Sequence, residues 1–78
     1  MLVRSYCHLC DGMREALAPL LSKHGATLEV IDVDDRRDLE ERWGDKVPVL
    51  LAGERELCHY HLDRAALAAW LAGTSRTN

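Results

Sequence analysis

Cys7-His8-Leu9-Cys10 sets two thiols three residues apart, about one turn if the chain there is helical. Such a pair can close into a disulfide, supply half of a metal site, or remain two ordinary thiols. Cys58 is the third cysteine, with His59 and His61 just after it. Cys7, Cys10, Cys58 and one of these histidines would offer Zn²⁺ a Cys₃His set, the donor type and number of a structural zinc site. The second half of that set lacks the tight paired spacing of zinc ribbons, so zinc is the rival reading and no metal is assigned. An odd count of cysteines excludes a full disulfide framework within one chain. Outside a secreted scaffold, a close pair is more often redox or metal chemistry than a staple.

The whole chain fits that chemistry. Its 78 residues make one domain, near the lower limit at which an apolar core holds a fold together. A content of 47% hydrophobic and 29% charged residues suits a soluble globular domain rather than disorder. A net charge of -3 leaves no electrostatic footprint for nucleic acid or an anionic membrane. Met1-Leu2-Val3-Arg4 lacks the apolar core of a signal peptide, and no run approaches the length of a membrane span. A cytoplasmic monomer is expected.

The thiols need elements to hold them. Met1 to Tyr6 reads as a short strand, and Leu9, Met13, Leu17, Leu20 and Leu21 then recur at helical spacing. Lys23 and His24 suit the negative end of that helix, Gly25 its left-handed closing residue, and Pro19 should kink it. Thr27 to Val33 is β-branched and apolar on both faces, as Leu28 and Val30 oppose Ile31 and Val33, which predicts a strand in the sheet interior. Asp34 or Asp35 caps a short helix with Leu39 and Trp43 inward, ended by Gly44. Val47 to Leu51, a turn at Gly53-Glu54-Arg55, and Glu56 to Tyr60 form a hairpin. Asp63 caps a last helix carrying Ala66, Leu67, Trp70 and Leu71. The domain spans residues 1–73, and 74–78 form a polar tail.

The order β-α-β-α-β-β-α predicts an α/β fold, with parallel pairing across the first crossover and an antiparallel hairpin after it. A four-stranded mixed sheet with helices on both faces follows. The cysteines then fall where the first strand hands over to a helix. Unpaired N–H groups and the partial positive charge of that helix mouth favour a thiolate at Cys7, the expected nucleophile. Cys10, one turn further in and less exposed, is the expected resolving thiol. His8 has two readings, a donor to the Cys7 thiolate or a solvent-exposed imidazole. Arg4 could add positive charge to the site, which Asp11 would oppose. Cys58 reads as a small apolar strand residue, Trp43 and Trp70 as core anchors, and Tyr6 and Tyr60 as packing against strands, with Tyr6 also lining the groove beside Cys7.

Cys7-His8-Leu9-Cys10 after the first strand, Pro19 in the first helix and Val47-Pro48-Val49 opening the third strand together resemble the thioredoxin fold, most closely the short glutaredoxin-like proteins. The resemblance runs from Leu2 to Leu71. It implies a redox-active Cys7/Cys10 disulfide, with no other cofactor and glutathione as a candidate thiol. It also implies a cis peptide bond at Pro48 facing the dithiol, and a backbone at Val47 that pairs with an extended substrate. Partners would be protein or small-molecule disulfides and a thiol reductant still to be identified. Two departures stand out. His8 and Leu9 replace the proline and aromatic residue that glutathione-using members carry between the cysteines, and the stretch from Leu57 to Asp63 has no counterpart to their Gly-Gly. Asp63 alone matches their acidic residue at the start of the last helix. The alternative function is a metal-binding or regulatory module that keeps the fold without exchange.

Overall fold

The computed structural model describes residues 1–76, with side chains described through residue 73. Strands β1 (Leu2–Val3), β2 (Ile31–Asp32), β3 (Val49–Ala52) and β4 (Arg55–His59) and helices α1 (His8–Lys23), α2 (Arg37–Trp43) and α3 (Arg64–Arg76) follow the expected β-α-β-α-β-β-α order. The sheet order is β2-β1-β3-β4, with β1 parallel to β2 and antiparallel to β3, and β3 antiparallel to β4. It is a four-stranded mixed sheet.

Alternation along β3 divides the apolar residues between two cores. Leu50 packs with Met13, Leu17 and Leu21 of α1 and Leu67 and Leu71 of α3. Its neighbour Val49 turns to the other face, against Leu2, Val33 and Trp43 of α2. The helices therefore cover both faces, α1 and α3 on one and α2 on the other. Trp43 is buried as expected, whereas Trp70 is only partly buried at the margin of the first core.

Local departures from expectation have identifiable causes. β1 stops at Val3, level with Asp32, where its partner β2 also ends and enters a 3-10 turn, and Tyr6 beyond it adopts a left-handed φ of 59°. Only Ile31 and Asp32 of the Thr27–Val33 run are strand. β2 lies at the sheet edge with β1 as its one partner, so Val30 is 38% exposed rather than interior. Val33 is fully buried but already opens a 3-10 turn, Val33–Asp35. Its cap is Asp32, whose carboxylate accepts the Asp34 N–H at 2.8 Å, so neither Asp34 nor Asp35 caps α2. α2 begins after Arg36, which makes no side-chain capping bond.

α1 runs through Pro19 without interruption and closes at Gly25, φ 67°. Gly44 has an ordinary helical φ of -54°, and its lack of a side chain serves a close approach instead. A Cβ there would stand 2.6 Å from an Arg4 guanidinium nitrogen, which donates to the Gly44 carbonyl at 3.3 Å. Gly53, φ 64°, turns the β3–β4 hairpin. Asp63 accepts the Ala66 N–H at 3.0 Å and caps α3. That helix continues to Arg76, past the boundary expected at residue 73, and the remainder of the expected tail, residues 77–78, lies outside the described residues.

Candidate active site

The dithiol sits at the mouth of α1. Cys7 is its N-cap residue, in extended conformation, and its Sγ accepts the Cys10 N–H at 3.1 Å. Its carbonyl accepts the first backbone bond of the helix, from the Asp11 N–H at 3.1 Å. The two cysteines stand at disulfide distance with Cα atoms 5.2 Å apart. Cys7 is half-buried and Cys10 is buried, being 2% exposed. An aimed N–H and the helix dipole both favour negative charge on Cys7 when the pair is reduced.

Around the pair lies a groove of about 220 Å³ bordered by Ser5, Tyr6, Cys7, Cys10, Arg14 and Asp32. Tyr6 lines it as expected, yet the ring packs on no strand. It is wholly exposed, carried outward by its left-handed backbone. A wider hollow of about 800 Å³ along the outer side of α1 shares Asp11 and Arg14 with this groove but contains no thiol.

Arg4 also borders the groove of the thiols, and its guanidinium is engaged by two carboxylates. Its guanidinium pairs with Asp34 at 2.8 Å and Glu40 at 3.3 Å, tying β1 to the segment that carries α2. His8 is exposed and faces a separate cleft with Leu9, Met13, Tyr60, His61 and Leu62. Leu9, placed in the buried stripe from its spacing, is 46% exposed because that stripe runs through Cys10, Met13, Leu17 and Leu21, and Leu9 lies one residue, about 100° of helix rotation, off Cys10. Leu20 of the same stripe is half-buried against the α1–α3 core.

Val47 and Pro48 approach from the sheet. Val47 is half-buried and packs against both cores, the first of which contains Cys10 and has Cys7 at its edge. Pro48 is fully buried, and the Val47–Pro48 peptide bond is cis. Its carbonyl accepts the Tyr60 N–H at 2.9 Å.

The rival zinc ligands are not brought together. Cys58 is a buried residue of β4, paired with Leu50 of β3, and the His59 ring is held by Glu56 at 2.7 Å. Among the described residues no group of three or more His, Cys, Asp or Glu side chains is arranged to hold a metal ion.

Tyr60 is the residue that sequence reasoning undervalued. It is 42% exposed rather than packed in the sheet, and its φ of 63° is left-handed. For a bulky side chain that conformation costs of order 1–3 kcal/mol and persists only where surrounding bonds hold it. Besides the bond to Pro48, the Tyr60 hydroxyl donates to the Asp45 carbonyl at 2.8 Å. The available signal was the absence of glycine between Leu57 and Asp63, where the chain must still turn out of β4 into α3.

Comparison with known proteins places these features in a family. Residues 1–72 match the glutaredoxin-like domain (DUF836). An uncharacterized protein of Mycobacterium bovis and one of Mycobacterium tuberculosis are each 34% identical over 77 residues, covering 92% of this chain and 79% of theirs. The solution NMR structure of protein Ne2328 from Nitrosomonas europaea superposes with a TM-score of 0.80 at 41% identity, covering 88% of this chain and 84% of that one. With a matching domain over nearly its whole length and a thioredoxin-like sheet order, the chain belongs to the glutaredoxin-like domain family.

Proposed function

We propose that the protein is a thiol–disulfide oxidoreductase. The observation that carries this reading is the asymmetry of the pair, with Cys7 half-buried at a helix mouth and Cys10 buried at disulfide distance from it. In the reduced protein the Cys7 thiolate attacks one sulfur of a substrate disulfide. A Cys7–substrate disulfide forms, and the other substrate sulfur leaves as a thiolate that takes up a proton. Cys10, deprotonated, then attacks the Cys7 sulfur, closing the Cys7–Cys10 disulfide and releasing the second substrate thiol. The substrate gains the two electrons that the protein loses, and two equivalents of a thiol reductant return them.

Tyr6, in the groove of the thiols, and His8, in the neighbouring cleft, contact the substrate, and the backbone at Val47, ahead of Pro48, pairs with its chain. Protein or small-molecule disulfides are the substrates and glutathione is the candidate small-thiol reductant. No further cofactor is required. The protein works as a cytoplasmic monomer, a placement with which the absence, among the described residues, of any helix long and apolar enough to cross a membrane is compatible.

The test is trapping. Cys10→Ser should attack but not resolve, so mixed disulfides accumulate at Cys7 and dithiothreitol releases them, while Cys7→Ser captures nothing. A Cys10→Ser protein that forms no mixed disulfide with glutathione disulfide or a peptide disulfide would refute the reading.

A further inference from the structure

Tyr60 makes two hydrogen bonds to backbone carbonyls, and the two carbonyls straddle Val47. Its N–H donates to the Pro48 carbonyl at 2.9 Å and its hydroxyl to the Asp45 carbonyl at 2.8 Å. One residue therefore clasps both sides of the segment assigned above to substrate pairing. The clasp reaches Asp45 from the far side of the hairpin, since Tyr60 follows the last residue of β4 and Asp45 lies in the 3-10 turn Gly44–Lys46 before β3.

The conformation of Tyr60 points the same way. A glycine would adopt φ 63° without steric cost, yet this position carries a tyrosine. Its side chain adds no deep burial to offset that cost, being 42% exposed. What the side chain does supply is the bond to Asp45. Tyr60 also borders the cleft that contains His8 and Leu9, the two residues between the cysteines, so one residue meets both the dithiol helix and, through its two bonds, the segment around Val47.

We infer that Tyr60 is a positioning residue for exchange with polypeptide disulfides, holding the Val47 segment in the register that an extended substrate backbone must meet. The inference rests on the proposed oxidoreductase function and adds a substrate class to it. A small disulfide reacts at Cys7 without needing a backbone partner. An extended peptide needs the Val47 segment in place before its sulfur is aligned, and alignment is where positioning affects rate.

The experiment compares the full-length reduced wild type with Tyr60→Phe and Tyr60→Gly, using hydroxyethyl disulfide and an extended peptide disulfide as substrates. Tyr60→Phe keeps the ring and loses the hydroxyl bond. Its KM for the peptide should rise by about five- to tenfold, the scale of one hydrogen bond, with kcat/KM for hydroxyethyl disulfide within about twofold of wild type. Tyr60→Gly relieves the backbone strain and keeps the N–H bond to Pro48 while removing the ring and the hydroxyl bond to Asp45, so peptide exchange should fall at least as far although thermal stability does not. A purely structural role would move stability and both substrates together. The Val47 amide signal in NMR spectra of Tyr60→Phe should shift, a readout independent of exchange.

Unchanged peptide kinetics in Tyr60→Phe, equal losses on both disulfides, or an unmoved Val47 amide would each overturn the inference while leaving the oxidoreductase reading intact. A wild-type protein inert toward both disulfides would overturn that reading and this inference with it.

Discussion

At the scale of single residues the three cysteines have different tasks, and their surroundings account for the difference. Cys7 accepts an N–H at a helix mouth, Cys10 lies buried beside it, and Cys58, within β4, packs into the same core as Cys10. Cys58→Ala should therefore leave dithiol–disulfide cycling intact and cost about 1 kcal/mol in urea unfolding, as a small buried truncation does. Loss of both cycling and fold in that variant would mean that Cys58 is a ligand or a redox partner. Alkylation of the reduced protein should show Cys7 reacting with a pH midpoint below the roughly 8.5 of a free cysteine, measured in Cys10→Ser so that one thiol is followed. The cysteine pair was legible because three-residue spacing after a strand carries its meaning in residue types alone. Tyr6 and Tyr60 were less so, since left-handed backbone at a tyrosine is set by the turns the chain must make and, at Tyr60, by tertiary hydrogen bonds, and the one local trace was the glycine-free turn between Leu57 and Asp63.

At the scale of elements, α1 both presents the thiols and anchors them. Cys10, Met13, Leu17 and Leu21 form one buried stripe, so the helix that exposes Cys7 at its mouth is fixed along its length to the core. Leu17, with no exposed surface, has no room to relax, and Leu17→Ala should cost about 2–5 kcal/mol in chemical denaturation. A loss below 1 kcal/mol would mean that the helix is held from elsewhere. α3 depends more on its cap, and Asp63→Ala should cost about 0.5–2 kcal/mol by the same measurement. At α2 the Arg36 guanidinium donates to Asp38 and holds its carboxyl below the ordinary carboxylate range. Its depressed folded value means that any stabilisation is present above the ordinary carboxylate pKa and is lost as pH falls through the lowered one. Because the pair is fully exposed, salt should erase the difference between Asp38→Asn and wild type.

Helix α1 was legible from periodicity, and α3 from its cap and stripe. β2 was not, because β-branched residues report a tendency to be extended and say nothing of how many neighbours the extended chain will find. At the edge, beyond β1, only Ile31 and Asp32 are strand.

At the scale of the whole molecule, one sheet order brings three separate stretches of sequence to one end of the fold. β1 leads into Tyr6 and Cys7, β3 starts just after Val47 and Pro48, and β4 delivers Tyr60 beside them, because β3 lies between β1 and β4. The mixed topology was legible from the order of elements and from the right-handed crossover rule. The clasp between Tyr60 and Asp45 was not, since it spans two elements whose approach is set only when both cores close. The account as a whole depends on Cys7 and Cys10 exchanging electrons as a unit. Equilibration of the full chain in graded glutathione buffers, with acid quenching, thiol labelling and mass spectrometry, tests this most directly. The account predicts a single two-electron transition in which the Cys7 and Cys10 thiols disappear together while Cys58 keeps its label throughout. A protein that keeps all its thiols under oxidising conditions, or that loses Cys58 together with one of the pair, would contradict it.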